Sequence, residues 1–218
     1  MSAIIDLTHP YHEGIPVPGF FPKPMYRYVM DVKKDPLNVT EFSLVVHIGT
    51  HVDAPLHLFP EGESIEKIPL SQLCGKGVVI AIRKNGGEPI KVSDIGDAGD
   101  TVAAGDIVVL YTGWSEKYYT AEYFNHPYFS MELADWCVEK KVKLLCMDMV
   151  TPDMPIPLRP KGFNWPIHRR LLSSGVHVAE NLTNLGALLG KKVTIYAAPI
   201  MIKGADGGPA RIFAVINE

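Results

Sequence analysis

The chain has 218 residues with a formal net charge of -3, which gives no electrostatic case for nucleic acid or an anionic membrane as partner. Hydrophobic residues make up 47% and charged residues 21%, an ordinary globular balance, and the length suffices for one large domain with a real core. No apolar stretch approaches the length of a membrane span, and the first residues lack the basic and apolar regions of a signal peptide. Cys74, Cys137 and Cys146 are odd in number and form no C-x-x-C. They read as small buried hydrophobes in a reducing cytoplasm.

In chain order, residues 3–8 read as a short strand ending at His9-Pro10. The Pro/Gly-rich loop 11–24 follows, its four prolines forbidding a long helix. Phe20 and Phe21 in that loop either dock onto the core or wall a substrate pocket. Residues 25–32 form a strand, 33–38 a turn, and 39–53 a long strand pairing antiparallel with the first. Residues 58–70 are loop, 77–83 a buried strand, and 92–102 a short helix capped by Ser93. A turn at 104–106 leads into strand 107–112, and the aromatic segment 118–129 is irregular. Ser130 caps a helix over 131–141, with Glu132 in the first turn and lysines at the end, as the macrodipole favours. Strand 142–147 precedes a Pro-rich loop at 151–166. A short helix at 167–174 is stopped by Gly175. Strand 176–180 and a helical piece at 184–189 follow. The last strands, 193–202 and 210–216, are joined by a tight loop through Gly204, Gly207 and Gly208. No repeat or linker interrupts this order, so 1–218 reads as a single mixed α and β domain with few helices.

The chemistry concentrates in residues 42–57, F-S-L-V-V-H-I-G-T-H-V-D-A-P-L-H. In an extended chain His47, His51 and Asp53 share one face, opposite a mostly apolar one. A helix would also align His47 with His51, but the β-branched and aromatic residues, Gly49 and Pro55 favour a strand. Two imidazoles and a carboxylate suit zinc, manganese or iron(II) in an open catalytic site. His57 lies beyond Pro55, with no direction fixed. His12, His126 and His177 read as surface or loop residues. Asp148 and Asp153 follow a strand end, where catalytic and turn-capping carboxylates both occur.

The run H-I-G-T-H-V-D-A-P-L-H resembles the H-x-G-T-H-x-D-A-P-x-H signature of the cyclase-like metal hydrolases, a family that includes bacterial kynurenine formamidase and isatin hydrolase. Further pieces follow in matching order: D-L-T-H-P at 6–10, Y-T-G-W at 111–114, M-D-M-V-T-P-D at 147–153, H-R-R-L-L-S-S-G-V-H-V-A-E-N-L at 168–182 and G-A-D-G-G-P-A-R at 204–211. The resemblance implies a swivelling β/β/α-like α/β fold with a partly barrel-like mixed sheet, in homodimers or larger homo-oligomers. It implies that His47, His51 and Asp53 bind a first metal and that His168 and Glu180 complete the site. One or two Zn2+ or Mn2+ ions are implied, Asp53 and Glu180 bridging in two-metal members. His57 matches the residue of proton transfer in formamidases.

One departure concerns the substrate. Formamidase-like members carry a Trp in a P-x-W-P-G-like segment, and here the loop reads I-P-V-P-G-F-F-P. N-formylkynurenine is therefore not singled out. The expected activity is hydrolysis of an amide bond in a small aryl or cyclic substrate by metal-activated water, with His57 as acid and base. Phe20, Phe21 and Trp165 are the candidate substrate contacts. Two alternatives keep the family and change the role: a metal-dependent cyclase or isomerase, and a non-catalytic metal-binding protein.

Overall fold

The computed structural model describes residues 3–217. The strands are β1 (Ile4–Asp6), β2 (Met25–Met30), β3 (Val39–Ser43), β4 (His51–Asp53), β5 (Cys74–Ala81), β6 (Pro89–Ile90), β7 (Ile107–Tyr111), β8 (Tyr128–Phe129), β9 (Leu144–Met147), β10 (His177–Glu180), β11 (Val193–Pro199) and β12 (Gly207–Ile216). The α-helices are α1 (Leu70–Leu73), α2 (Met131–Glu139) and α3 (Pro166–Leu172).

The main sheet runs β1-β12-β11-β5-β7-β9-β10-β4, and β4 also pairs with β12. That last pairing closes seven strands, among the described residues, into a mixed barrel with β1 added on β12. The central strands β5, β7, β9 and β10 are parallel. β7 and β9 are apolar throughout and buried on both faces, as parallel strands covered on two sides require. In β7, Ile107, Val109 and Tyr111 join the barrel interior with Ile195, Ile212 and Ala214. Val108 and Leu110 face outward and pack under α2, α3 and the aromatic segment, with Leu133, Cys137, Leu171 and Phe129. The fold is thus the mixed α/β, barrel-like architecture with few helices expected from the resemblance. Ser130 accepts a hydrogen bond from the Leu133 amide and caps α2 as expected.

The expected long strand 39–53 is broken. β3 ends at Ser43, and β4 begins only at His51. Between them Gly49 takes φ +65°, and a Cβ there would lie 2.6 Å from the Tyr11 ring. Only glycine adopts this conformation readily, so the chain turns and His47 leaves the strand. The expected helix over 92–102 is instead two 3-10 turns, Val92–Asp94 and Gly96–Thr101. Asp94 accepts from the Lys91 amide there, and Ser93 makes no cap. Gly207 and Gly208 lie in β12, not in the preceding loop.

Candidate metal centre

β4 and β10 build the floor of the site. They pair antiparallel with Glu180 opposite His51 and Val178 opposite Asp53. Val52 and Ala179 point into the barrel, so His51, Asp53 and Glu180 share the opposite face, as strand alternation demands. All three are buried. α3 brings His168 over them, its Nε2 lying 3.2 Å from Asp53 Oδ2 and 3.1 Å from Glu180 Oε1. The His168 Nδ1–H donates to Asp153 at 2.6 Å. Asp153 also accepts from the amides of Ile167 and His168, so one carboxylate fixes both the helix start and the imidazole. Asp148 has the other reading open to it: it accepts from Thr112 and Gly113 and caps the end of β7.

His47 and His57 come from turns rather than the strand. His47 sets its Nδ1 against Asp53 and its Nε2 against Asp206, each at 2.8 Å. His57 ends a 3-10 turn, Pro55–His57. Its ring centroid is 3.8 Å from that of His47, and its Nδ1 is 3.4 Å from Asp206. A Cβ on Gly207 would come within 2.9 Å of the His47 ring, so bare backbone is needed for the imidazole to lie there. Thr50 ties the turn down. Its hydroxyl donates to the Asn181 carbonyl at 2.6 Å and accepts from the His9 amide at 3.0 Å.

Charge is concentrated here. Burial would lower the His168 pKa, but hydrogen bonds with Asp153, Asp53 and Glu180 raise it well above its ordinary value. His47 is likewise pushed up to about 10, Asp206 and Asp53 outweighing burial. Burial works to raise Asp53, yet His168, His47 and His51 hold it well below the carboxylate range. Hydrogen bonds from His47 and His57 lower Asp206.

The donor set fits a divalent cation. The Nδ1–H of His51 donates to the Gly49 carbonyl at 2.8 Å, which leaves the lone pair on Nε2. That buried nitrogen has no hydrogen-bond partner, and it faces Asp53 at 3.3 Å and Glu180 at 3.4 Å. A lone pair buried against two carboxylates is unfavourable without positive charge among them. The second nitrogens of His51 and His168 are held by a carbonyl and a carboxylate, as metal-binding imidazoles are. Ligand atoms of His51, Asp53 and Glu180 lie within 4.8 Å of one another, and so do those of His47, Asp53 and His57. Asp53 belongs to both groups.

A cavity of about 430 Å³ opens onto this floor. Phe20, Phe21 and Trp165 all line it, together with Phe124, His126 and Arg159. Phe20 and Phe21 pack edge to face at 4.5 Å. Trp165 holds a left-handed backbone at φ 53° before Pro166, a conformation that costs a bulky residue about 1–3 kcal/mol. His126 and His177 are buried, contrary to expectation: the His126 Nδ1 lies 2.8 Å from the Pro127 carbonyl, and His177 begins β10 inside the sheet, paired with Leu144 of β9. Cys74 is only half-buried. The reading of single residues missed Asp206 and Arg159, read His126 as a surface or loop residue, and left Asp153 between a catalytic and a turn-capping role. Asp206 lay within the quoted G-A-D-G-G-P-A-R piece, but nothing in its spacing pointed to His47.

The family model described as "Putative cyclase" matches residues 5–154. A kynurenine formamidase of Geobacillus thermodenitrificans is 29% identical, over 97% of this chain and 96% of that protein. One of Bacillus cereus is 26% identical, over 96% of each. Among solved structures, a "Potential Metal-Dependent Hydrolase With Cyclase Activity" superposes with a TM-score of 0.81 at 26% identity, covering 100% of both chains. Isatin hydrolase A of Labrenzia aggregata superposes with a TM-score of 0.87 at 24% identity, over 100% of this chain and 94% of the other. With its family match spanning most of the length and its fold shared from end to end, the chain belongs to the Cyclase family.

Proposed function

We propose that the chain is a metal-dependent amidohydrolase acting on a small aryl or cyclic substrate, a reading its similarity to kynurenine formamidases supports. One observation carries the reading. The buried His51 lone pair faces two carboxylates at the floor of an aromatic-lined cavity. His47, His51, Asp53, His168 and Glu180 would hold the ion. Their nitrogen and carboxylate donors suit Zn2+ or Mn2+, and the sharing of Asp53 between two groups supports one or two ions. Such an ion would supply a Lewis acid and a water of lowered pKa.

The protein's own groups do the rest. Phe20, Phe21 and Trp165 hold the aryl ring and exclude water. Asp206 accepts from Nδ1 of His57, leaving Nε2 to take a proton from the attacking water. His57 then gives that proton to the leaving nitrogen as the carbon–nitrogen bond breaks. His57 also lies near enough to His47 and Asp53 to act as a ligand, so metal content after its removal separates the two roles. We further propose that 1–218 works as one domain, in a cytoplasmic homodimer or larger homo-oligomer. The exposed apolar side chains of the β2–β3 hairpin, Tyr26, Tyr28 and Val29 among them, support such association. Among the described residues no helix is long and apolar enough to cross a membrane.

The test is metal analysis after purification with zinc and with manganese, joined to a hydrolysis screen of N-formyl aryl amines, isatin-like rings and cyclic imides. Metal-dependent release of product, lost on chelation and restored by one of the two ions, is expected. A fully loaded protein that hydrolyses none of them favours the ring-forming or isomerising alternative. A protein that takes up neither ion loses the hydrolase reading and favours a binding protein without catalysis.

A further inference from the structure

Arg159 is the unspent cation of the cavity. Arg170 and Arg211 pair with Asp135 and Asp6, and Arg83 donates to the Thr112 carbonyl and the Tyr111 hydroxyl. Arg159 uses only its Nε–H, which donates to the Met154 carbonyl at 2.8 Å. Among the described residues its two terminal amino groups meet no acceptor. The guanidinium carbon lies 4.8 Å from the Phe163 ring centroid and 5.5 Å from that of Trp165. Stacking of this kind holds the planar fork by its face and leaves its edge free for two parallel hydrogen bonds to a carboxylate.

The surroundings favour an anion there. Phe20, Phe21, Phe124 and Ile156 make the neighbouring wall apolar. His126 shares that wall, but burial takes it down to about 4 and keeps it neutral at pH 7. Asp153 and Glu180 act on the Arg159 charge from a distance, and Arg159 and Glu180 line the same cavity. Burial alone lowers the Arg159 pKa. An unpaired, half-buried guanidinium is costly unless a partner arrives.

Resting on the hydrolase reading, we propose that Arg159 determines specificity and that the substrate is an aryl amide bearing a carboxylate. The carboxylate meets the edge of the Arg159 fork, the ring lies against Phe20, Phe21 and Trp165, and the scissile carbonyl reaches the His51, Asp53 and Glu180 floor. A purely structural Arg159, clamping the segment around Phe163 and Trp165, is the competing account.

The experiment compares formanilide with its ortho-, meta- and para-carboxylates, the formamidobenzoates, on the metal-loaded enzyme. At least one formamidobenzoate should exceed formanilide in kcat/KM. Arg159→Met should reduce that ratio by about 10- to 100-fold, mainly through KM, and Arg159→Lys should recover part of it. Equal losses on neutral and anionic substrates, or an unchanged ratio, would overturn the proposal. So would a wild-type enzyme that prefers formanilide to every carboxylate. Calorimetric binding of benzoate against benzyl alcohol separates this failure from failure of the hydrolase reading. If no amide is hydrolysed, benzoate should still bind more tightly than the alcohol and lose about tenfold or more in Arg159→Met. Equal benzoate binding by both proteins would rule out the anion site.

Discussion

The closed barrel and the N-terminal arm meet at one cavity and are built on opposite terms. In the barrel, β4, β9 and β10 are buried at every residue. The arm, residues 11–43, is a proline-rich loop and a two-stranded hairpin whose Tyr28 and Val29 are about half exposed. Phe20, from the arm, is 61% exposed, whereas His51, from the barrel, is at 0%. The proposed metal floor therefore rests on the part of the molecule that cannot move without losing its core. The proposed substrate wall rests partly on a part that can change with little cost to the fold, as functional loops generally do.

Substitutions should divide along the same line. His51→Ala should abolish metal binding and activity together, a loss on the order of 10³-fold or more. Metal content and turnover measured on the same preparation check it. Retention of metal with full activity would remove His51 from the floor. His57→Ala, at the border between the two regions, should keep its metal and lose about 10²- to 10⁴-fold in kcat. Normal turnover would cancel its proton-transfer role, and loss of metal would make it a ligand.

Stability should show the contrast without any assay of function. Ile195 is fully buried in the barrel, and Ile195→Ala should cost about 2–5 kcal/mol in denaturant unfolding. Val29→Ala on the hairpin should stay within about 0.5 kcal/mol. Similar costs at both positions would mean that the hairpin is packed in solution, against a second copy for instance. Asp153→Asn weakens the hold on His168 and should lower metal affinity by about 10- to 100-fold in a chelator competition. The smallest effect belongs to Phe20→Ala. It should raise KM a few-fold, on the order of 1 kcal/mol, with metal content and melting temperature unchanged. A large fall in kcat would instead place Phe20 close to the reacting atoms.

Local chemistry made part of this legible in the sequence. The buried strands at β7 and β9, the Ser130 cap and the concentration of His and Asp around residue 51 follow from residue type and near-neighbour spacing. The period-two pattern also put His51 and Asp53 on one face. It failed at His47, because Gly49 turns the chain, and the Tyr11 ring packs against that turn from 38 positions away in the sequence.

His168 and Glu180 entered only through the resemblance, since a helix start and a strand end look alike whether or not they face a ligand. Their convergence on Asp53 comes from the antiparallel β4–β10 register and from α3 lying over it. Asp206 reaches His47 from 159 residues away, and Arg159 is left unpaired only because no carboxylate folds against it. The sequence by itself determined which groups were available for metal chemistry and which strands had to be buried. Tertiary structure alone decided which carboxylate orients which imidazole and which charge is left without a partner. Those outcomes depend on barrel closure, which joins residues far apart in the chain and leaves no periodic trace in it.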